Sequence, residues 1–178
     1  MNGRVRLRRV AVVSLFIFLC TVCAFAQAVK IYKSAVFGYR LEYPSDFKVK
    51  TMGSATVFSS SIADKTFAFS PSVNIVTIDL GQSPADPDVF YKQSKEALQK
   101  SLGNVDFIED KKDKLSGVEA YRLVYISTQK KADFKFLQLI CIRDNRAYVL
   151  TYTALQEQYD KLLKTAQAVI KSFEFTKK

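Results

Sequence analysis

The chain has 178 residues, of which 48% are hydrophobic and 25% charged, and its 27 Lys and Arg outweigh 17 Asp and Glu to give a net charge of +10. These values are those of an ordinary globular domain, and they exclude a disordered, collagen-like or disulfide-scaffold protein. The sequence contains no His, so it lacks the commonest general base and the commonest metal ligand. Nucleophilic triads that need a His base and zinc sites are therefore excluded.

The first 26 residues are predicted to be a cleaved secretory signal. Four arginines between positions 4 and 9 precede an apolar run from Val10 to Cys23, and Ala24-Phe25-Ala26 offers small residues for cleavage before Gln27. The apolar run is shorter than the roughly 20 residues that span a bilayer, which disfavours an uncleaved anchor. We therefore expect a periplasmic or extracellular protein in which residues 27–178 form a single domain.

One cysteine remains after the predicted signal. Cys141 lies inside the apolar run 136–142 and has no partner for an internal disulfide, so the domain is expected to be held together by its core. A buried small hydrophobe is the expected role of this thiol, rather than a nucleophile.

The first half of the domain predicts strands and one helix. Tyr39–Tyr43 alternates apolar and charged residues, the pattern of a half-buried strand, and the stretch 51–72 predicts a strand and a long loop. Val73–Leu80 is rich in β-branched residues and predicts another strand. Asp86 as the N-cap and Pro87 at the first helical position then predict a helix that ends at Gly103.

The second half predicts a meander and a final helix. The pattern predicts a short strand at 105–109 and a charged turn at 111–114, followed by strands near 119–127, 134–142 and 147–152. Residues 134–142 are apolar on both faces, so this strand is expected to be central. Thr153 and Gln156 are predicted to form a capping box. The helix that follows has a single apolar stripe: Tyr159, Leu162, Leu163, Ala166, Val169, Ile170 and Phe173. The expected fold class is α+β, an antiparallel β-sheet flanked by helices.

Two segments resemble a known family. Residues 37–47, Phe-Gly-Tyr-Arg-Leu-Glu-Tyr-Pro-Ser-Asp-Phe, resemble the opening F-G-[FY]-x-[LI]-x-[YF]-P-x-x-[WF] pattern of PsbP-like proteins. The strand at 147–152 and the closing helix that runs into Ser172-Phe173 resemble the end of that family, so the likeness extends from about Ile31 to Phe175. Phe47 stands where many members carry Trp.

The resemblance implies an α/β/α sandwich and a protein that binds other molecules rather than an enzyme. The family includes the extrinsic subunit of the oxygen-evolving photosystem, bacterial periplasmic relatives, and a nuclear relative that binds a small GTPase. The photosynthetic members use an extended N-terminal segment and, in places, His and acidic residues at metal sites. Because this chain has no His and few residues between Gln27 and Ile31, those functions do not carry over.

Three acidic residues are the candidate cation ligands. Glu109, Asp110 and Asp113 lie within the predicted turn region and could offer oxygens to a hard cation such as calcium. Their spacing is not that of an EF-hand, and lysines are interleaved with them. A solvated, salt-bridged turn without metal or other cofactor is the alternative.

Two groups of lysines are the candidate partner-binding residues: Lys111, Lys112 and Lys114, and Lys130, Lys131 and Lys135. Attraction to an acidic membrane surface or an acidic protein partner fits an exported basic domain, whereas nucleic acid does not. Lysines that serve only solubility are the simpler alternative.

The sequence thus favours an exported, non-catalytic domain that docks on an envelope protein or membrane complex as an accessory or stabilising subunit. Two alternatives stay open. One is a small-ligand or calcium-binding periplasmic module with a cleft between sheet and helix. The other, for a phototrophic source, is an extrinsic accessory subunit of photosystem II.

Overall fold

The computed structural model describes residues 28–62, 69–82, 85–129 and 131–176. The predicted signal, residues 1–26, lies outside the described residues. In chain order the elements are β1 (Val29–Ser34), β2 (Tyr39–Pro44), β3 (Lys48–Met52), β4 (Ala55–Ser59), β5 (Ser72–Asp79), α1 (Pro87–Leu102), β6 (Val105–Leu115), β7 (Val118–Gln129), β8 (Ala132–Arg143), β9 (Arg146–Leu155), a 3-10 turn (Gln156–Gln158), α2 (Tyr159–Lys171) and β10 (Glu174–Phe175).

The main sheet has seven strands in the order β3-β4-β5-β9-β8-β7-β6, and every neighbouring pair is antiparallel. Short hairpins join β6 to β7, β7 to β8 and β8 to β9, and such connections impose antiparallel pairing. The prediction that residues 134–142 form a central strand covered on both faces is confirmed, because Leu137 and Leu139 pack in one buried cluster and Ile140 in another.

A second, three-stranded sheet has the order β1-β2-β10. Gly38 makes the turn between β1 and β2 with a φ of 67°, a left-handed conformation that a residue without a Cβ adopts without strain. Its carbonyl accepts a hydrogen bond from the Thr176 amide at 2.9 Å. The opening of the domain is thereby tied to its end.

Helix α2 covers one face of the main sheet, and the small sheet packs on the same core. The predicted apolar stripe is confirmed: Ala166, Val169, Ile170 and Phe173 are buried. The predicted capping box is wrong, since β9 extends to Leu155, a 3-10 turn follows, and no side chain caps α2. Pairing with β8 holds the segment that contains Thr153 in strand geometry.

Helix α1 covers the other face over β7 and β8. Its predicted start is confirmed, because the Asp86 carboxylate accepts hydrogen bonds from the amides of Asp88 and Val89 at 2.8 and 3.1 Å. Gly103 ends the helix, as predicted. With one helix on each face of an antiparallel sheet, the α+β sandwich is the fold of this chain.

The predicted charged turn at 111–114 is wrong. Strand β6 continues through it to Leu115, and the turn is made by Ser116 and Gly117. A bulge at Ile108 precedes the charged half of the strand. Alternation of apolar and polar residues is weak there because β6 is an edge strand of the sheet, where exposed lysines are tolerated and discourage pairing with other chains.

Candidate functional site

The charged half of β6 presents different side chains to the two faces of the sheet. Glu109, Lys111 and Asp113 pair with Val124, Arg122 and Ala120, which lie on the α2 side. Asp110 and Lys112 pair with Leu123 and Tyr121, which lie on the α1 side. Successive residues of a strand point to opposite faces, so the predicted carboxylates are divided between two surroundings.

On the α2 side, Arg122 forms ion pairs with both acidic residues, Glu109 and Asp113. Its Nε donates to Glu109 Oε1 at 2.5 Å, and its Nη1 lies 3.8 Å from Asp113 Oδ2. Lys111 Nζ lies 3.2 Å from the same Glu109 oxygen. Partial burial alone would raise the pKa of Glu109, but the hydrogen bonds and charges of Lys111 and Arg122 lower it overall.

A cleft of about 220 Å³ opens beside Arg122, between α2 and strands β6 to β8. Its walls combine buried Leu137, Leu139 and Ile170 with the polar side chains of Gln167 and Lys171 from α2. The Arg122 side chain is 21% exposed. A cleft between sheet and helix, which the sequence offered as one alternative, is present here, and Arg122 is a site residue that sequence reasoning missed.

The α1 side holds a second cluster, centred on Asp110. Its carboxylate accepts a hydrogen bond from the Tyr91 hydroxyl and one from Lys95 Nζ at 2.6 Å. Burial alone would raise the pKa of Asp110, but these two bonds and the Lys95 charge lower it. The Tyr91 ring stacks on the Tyr121 ring, with 4.0 Å between the centroids. The pKa of the Tyr91 hydroxyl is raised, mainly because it is buried and also because it donates a hydrogen bond to Asp110. This cluster fastens α1 to the sheet.

The three candidate calcium ligands are not brought together. Glu109 and Asp113 flank Arg122, while Asp110 lies on the opposite face. Within residues 28–62, 69–82, 85–129 and 131–176, no group of three or more His, Cys, Asp and Glu side chains is placed to hold a metal ion. Calcium binding stays a prediction.

The candidate partner-binding lysines lie at opposite ends of β7. Lys111, Lys112 and Lys114 lie towards the β6–β7 turn, and Lys131 lies in the β7–β8 turn. Lys112 approaches Asp88 at 3.7 Å and the Tyr121 ring at 5.7 Å, and Lys135 lies over the Tyr159 ring at 4.5 Å. Lys130 lies outside the described residues. The five candidate lysines that the structure describes therefore do not form one patch.

Another surface, which sequence reasoning missed, lies at β1. Val29, Ile31 and Val36 are 57%, 63% and 76% exposed. Val29 also borders a cleft of about 450 Å³ between the end of β2 and helix α2, lined by Tyr43, Pro44, Lys164, Thr165, Ala168 and Val169 among others. In the segment Val29–Ser34, apolar side chains at positions 29 and 31 alternate with Lys30. That pattern predicts a strand but not which of its faces stays exposed.

Cys141 is buried in β8, as predicted. Burial raises the pKa of its thiol to about 12, and the charge of Arg143 offsets only part of the rise. A thiol in this state carries almost no thiolate at neutral pH and is a poor nucleophile.

Comparison with solved structures identifies similar folds. The cyanobacterial PsbP protein CyanoP from Synechocystis has a TM-score of 0.61 and 15% identity, covering 86% of this chain and 95% of its own. LpqN, involved in cell envelope biogenesis of Mycobacterium tuberculosis, has a TM-score of 0.63 and 13% identity, and the match covers 87% of this chain and 88% of LpqN. A Pseudomonas aeruginosa protein of unknown function has a TM-score of 0.59 and 16% identity, and the match covers 81% of this chain and 94% of that protein. At these identities the likeness concerns the fold.

No curated protein matches the sequence significantly. None of the helices in the described part of the chain combines the length and apolar character that a membrane crossing requires. The family model for PsbP-like proteins, by contrast, matches residues 21–175. This span includes the whole sandwich and the opening motif at 37–47, and the chain therefore belongs to the PsbP-like protein family.

Proposed function

We propose that this protein is an exported, non-catalytic accessory domain that docks on a protein or membrane complex of the cell envelope. PsbP-like proteins act in general as accessory proteins rather than as enzymes, which supports the class of function. The likeness in fold to LpqN, itself a protein of cell envelope biogenesis, supports the envelope as the place of action. The predicted signal at 1–26 agrees with export.

The observation that carries the proposal is the exposed apolar surface of β1. Isolated exposed apolar side chains are common, but Val29 and Ile31 share one face of a strand, and Val29 borders the 450 Å³ cleft. Strand β1 pairs with β2 alone within the described residues, so its outer backbone edge is also open. Adjacent exposed apolar groups beside a cleft are typical of contact surfaces.

The charges around this surface indicate the chemistry of the partner. Lys30, Lys33 and Lys164 are exposed and form no ion pair with another described residue. Arg40 is already paired with Glu174 at 2.6 Å, which leaves Glu42 as the acidic side chain at the cleft. The excess of positive charge favours a partner segment that carries apolar and acidic side chains.

The test is a crosslinking pull-down from the envelope fraction of the source cell. We expect the native protein to recover a discrete crosslinked partner and the double variant Val29→Ser with Ile31→Ser to recover at least tenfold less, a loss of the size expected when buried anchor side chains are removed. Val89→Ser is the matched control, because Val89 is a similarly exposed valine on α1.

Circular dichroism must show that all variants fold. Retention of the partner by the double variant, or equal loss in the Val89→Ser control, would contradict a docking role for β1. Recovery of free monomer alone from the native protein would contradict docking altogether.

A further inference from the structure

We propose that the cleft beside Arg122 binds a small organic monocarboxylate with a short apolar chain. The cleft is separate from the β1 surface, since it lies between α2 and strands β6 to β8. This inference therefore does not depend on the proposed docking function.

Unused hydrogen-bond donors point to an anion. Arg122 donates its Nε to Glu109, but neither of its Nη atoms has an acceptor within hydrogen-bond distance among the described residues. The same holds for the side-chain nitrogens of Gln167 and Lys171 on α2. A guanidinium held by Glu109 in one orientation presents its remaining N–H groups in the fork that matches a carboxylate.

The charges around the cleft favour an anion. Four positive charges lie near it, on Lys111, Lys114, Arg122 and Lys171, and two negative ones, on Glu109 and Asp113. An anion offsets part of this positive excess. A dianion such as phosphate would bring a second negative charge close to Glu109 and Asp113, which costs free energy.

The apolar floor favours a hydrocarbon chain on the ligand. Leu115, Leu137, Leu139 and Ile170 line the cleft and are buried in the fold. The cleft volume of about 220 Å³ equals the volume of roughly seven molecules of liquid water. The hydrocarbon chain of the ligand is therefore limited to a few carbons. Larger ligands need pockets of roughly 300 Å³ or more.

Titration with hexanoate, followed by calorimetry and by amide NMR shifts, tests the proposal. We expect saturable binding, shifts at Leu139 and Ile170, and much weaker responses to hexanol and to inorganic phosphate. Arg122→Gln is expected to weaken hexanoate binding by at least about tenfold, because charge-assisted hydrogen bonds to the carboxylate are lost.

Two further variants keep the test decisive if Arg122→Gln does not fold. Gln167→Trp is expected to fill the cleft and abolish binding while leaving the Arg122–Glu109 pair in place. Lys171→Gln is expected to weaken binding, and Lys161→Gln, another exposed lysine of α2, is the control that retains it. Absence of saturable binding, undiminished binding by Gln167→Trp, or phosphate binding as tight as hexanoate binding would overturn the proposal.

Discussion

The Ser172 hydroxyl hydrogen-bonds the backbone of Glu42 in β2, at a position where no described residue of a neighbouring strand does so on that side. Its Oγ accepts a hydrogen bond from the Glu42 amide at 2.9 Å and lies 3.1 Å from the Glu42 carbonyl and 2.7 Å from that of Val169. Strand β10 pairs with β2 only at Tyr39 and Arg40. The side chain of Ser172 therefore satisfies the polar backbone beyond the end of β10 and joins α2 to the small sheet.

Replacing Ser172 by Ala removes this connection. We expect the free energy of unfolding to fall by about 1 kcal/mol, the usual net value of such hydrogen bonds. Urea unfolding followed by circular dichroism measures the change. Ser101→Ala, at an exposed position near the end of α1, is the control and should alter stability much less. Equal effects of the two substitutions would contradict a structural role for the hydroxyl of Ser172.

The Asp86 cap should determine how well α1 is held. Asp86→Ala is expected to lower the free energy of unfolding by about 0.5–2 kcal/mol, because two amides of the first turn lose their acceptor. Asp86→Asn keeps an acceptor oxygen and should retain most of the stability. Thermal unfolding distinguishes them, and an equal loss in both variants would show that charge rather than capping matters.

Phe173 should be among the most sensitive positions of the core. Its ring is fully buried and stacks on Tyr39, with 5.4 Å between the centroids. Phe173→Ala is expected to cost about 3–5 kcal/mol because it leaves a large cavity. Phe173→Leu fills part of that space and should cost less in the same denaturation experiment. A loss below about 1 kcal/mol for Phe173→Ala would be inconsistent with this packing.

Acid should weaken the contact between α1 and β6. The pKa of Asp110 is lowered in the folded protein, so unfolding raises its proton affinity. The stabilisation that ionised Asp110 gives to the folded protein is complete above the ordinary Asp pKa of about 3.9. It is lost as the pH falls through the lower pKa that Asp110 has in the folded protein.

We expect the urea midpoint of the native protein to drop between pH 6 and pH 3 more steeply than that of Asp110→Asn. The control, Asp106→Asn, changes another exposed Asp of β6 and should keep the native slope. A native slope in Asp110→Asn would contradict the assignment.

Cys141 should report on unfolding rather than on chemistry. Its thiol is buried and its pKa is raised to about 12. At pH 8 we expect a disulfide reagent to label Cys141 only as fast as the protein opens, with labelling accelerated by urea. A cysteine introduced at exposed Ser101 should react at once. Rapid labelling of Cys141 in the native protein would contradict its burial.

The sequence was sufficient to predict the elements whose signals are local. Asp86 and Pro87 mark the start of α1, and the apolar stripe of α2 identifies its buried face, because both patterns act within a few turns of helix. The charged half of β6 has the sequence pattern of a turn, because an edge strand needs no apolar alternation. The pairing of Glu174 with Arg40 closes the small sheet across the whole domain, and a two-residue strand leaves no periodic pattern to detect.

The candidate sites were harder to predict for the same reason. Arg122 and Gln167 lie on different elements, and nothing in the local sequence of either indicates that they border one cleft. Glu109, Asp110 and Asp113 are near one another in sequence, but strand geometry places Asp110 on the other face of the sheet. Contacts between distant segments, rather than local spacing, determine which of these side chains meet.

Site-specific photocrosslinking in living cells tests the central proposal most directly. A photoreactive amino acid at position 31, on the exposed face of β1, should capture a single envelope protein, while the same probe at position 89 on α1 should capture none. We expect a crosslinked product that depends on the position of the probe in this way. Identical products from both positions, or none from position 31 in cells that make normal amounts of the protein, would contradict the proposal that this domain acts by docking through β1.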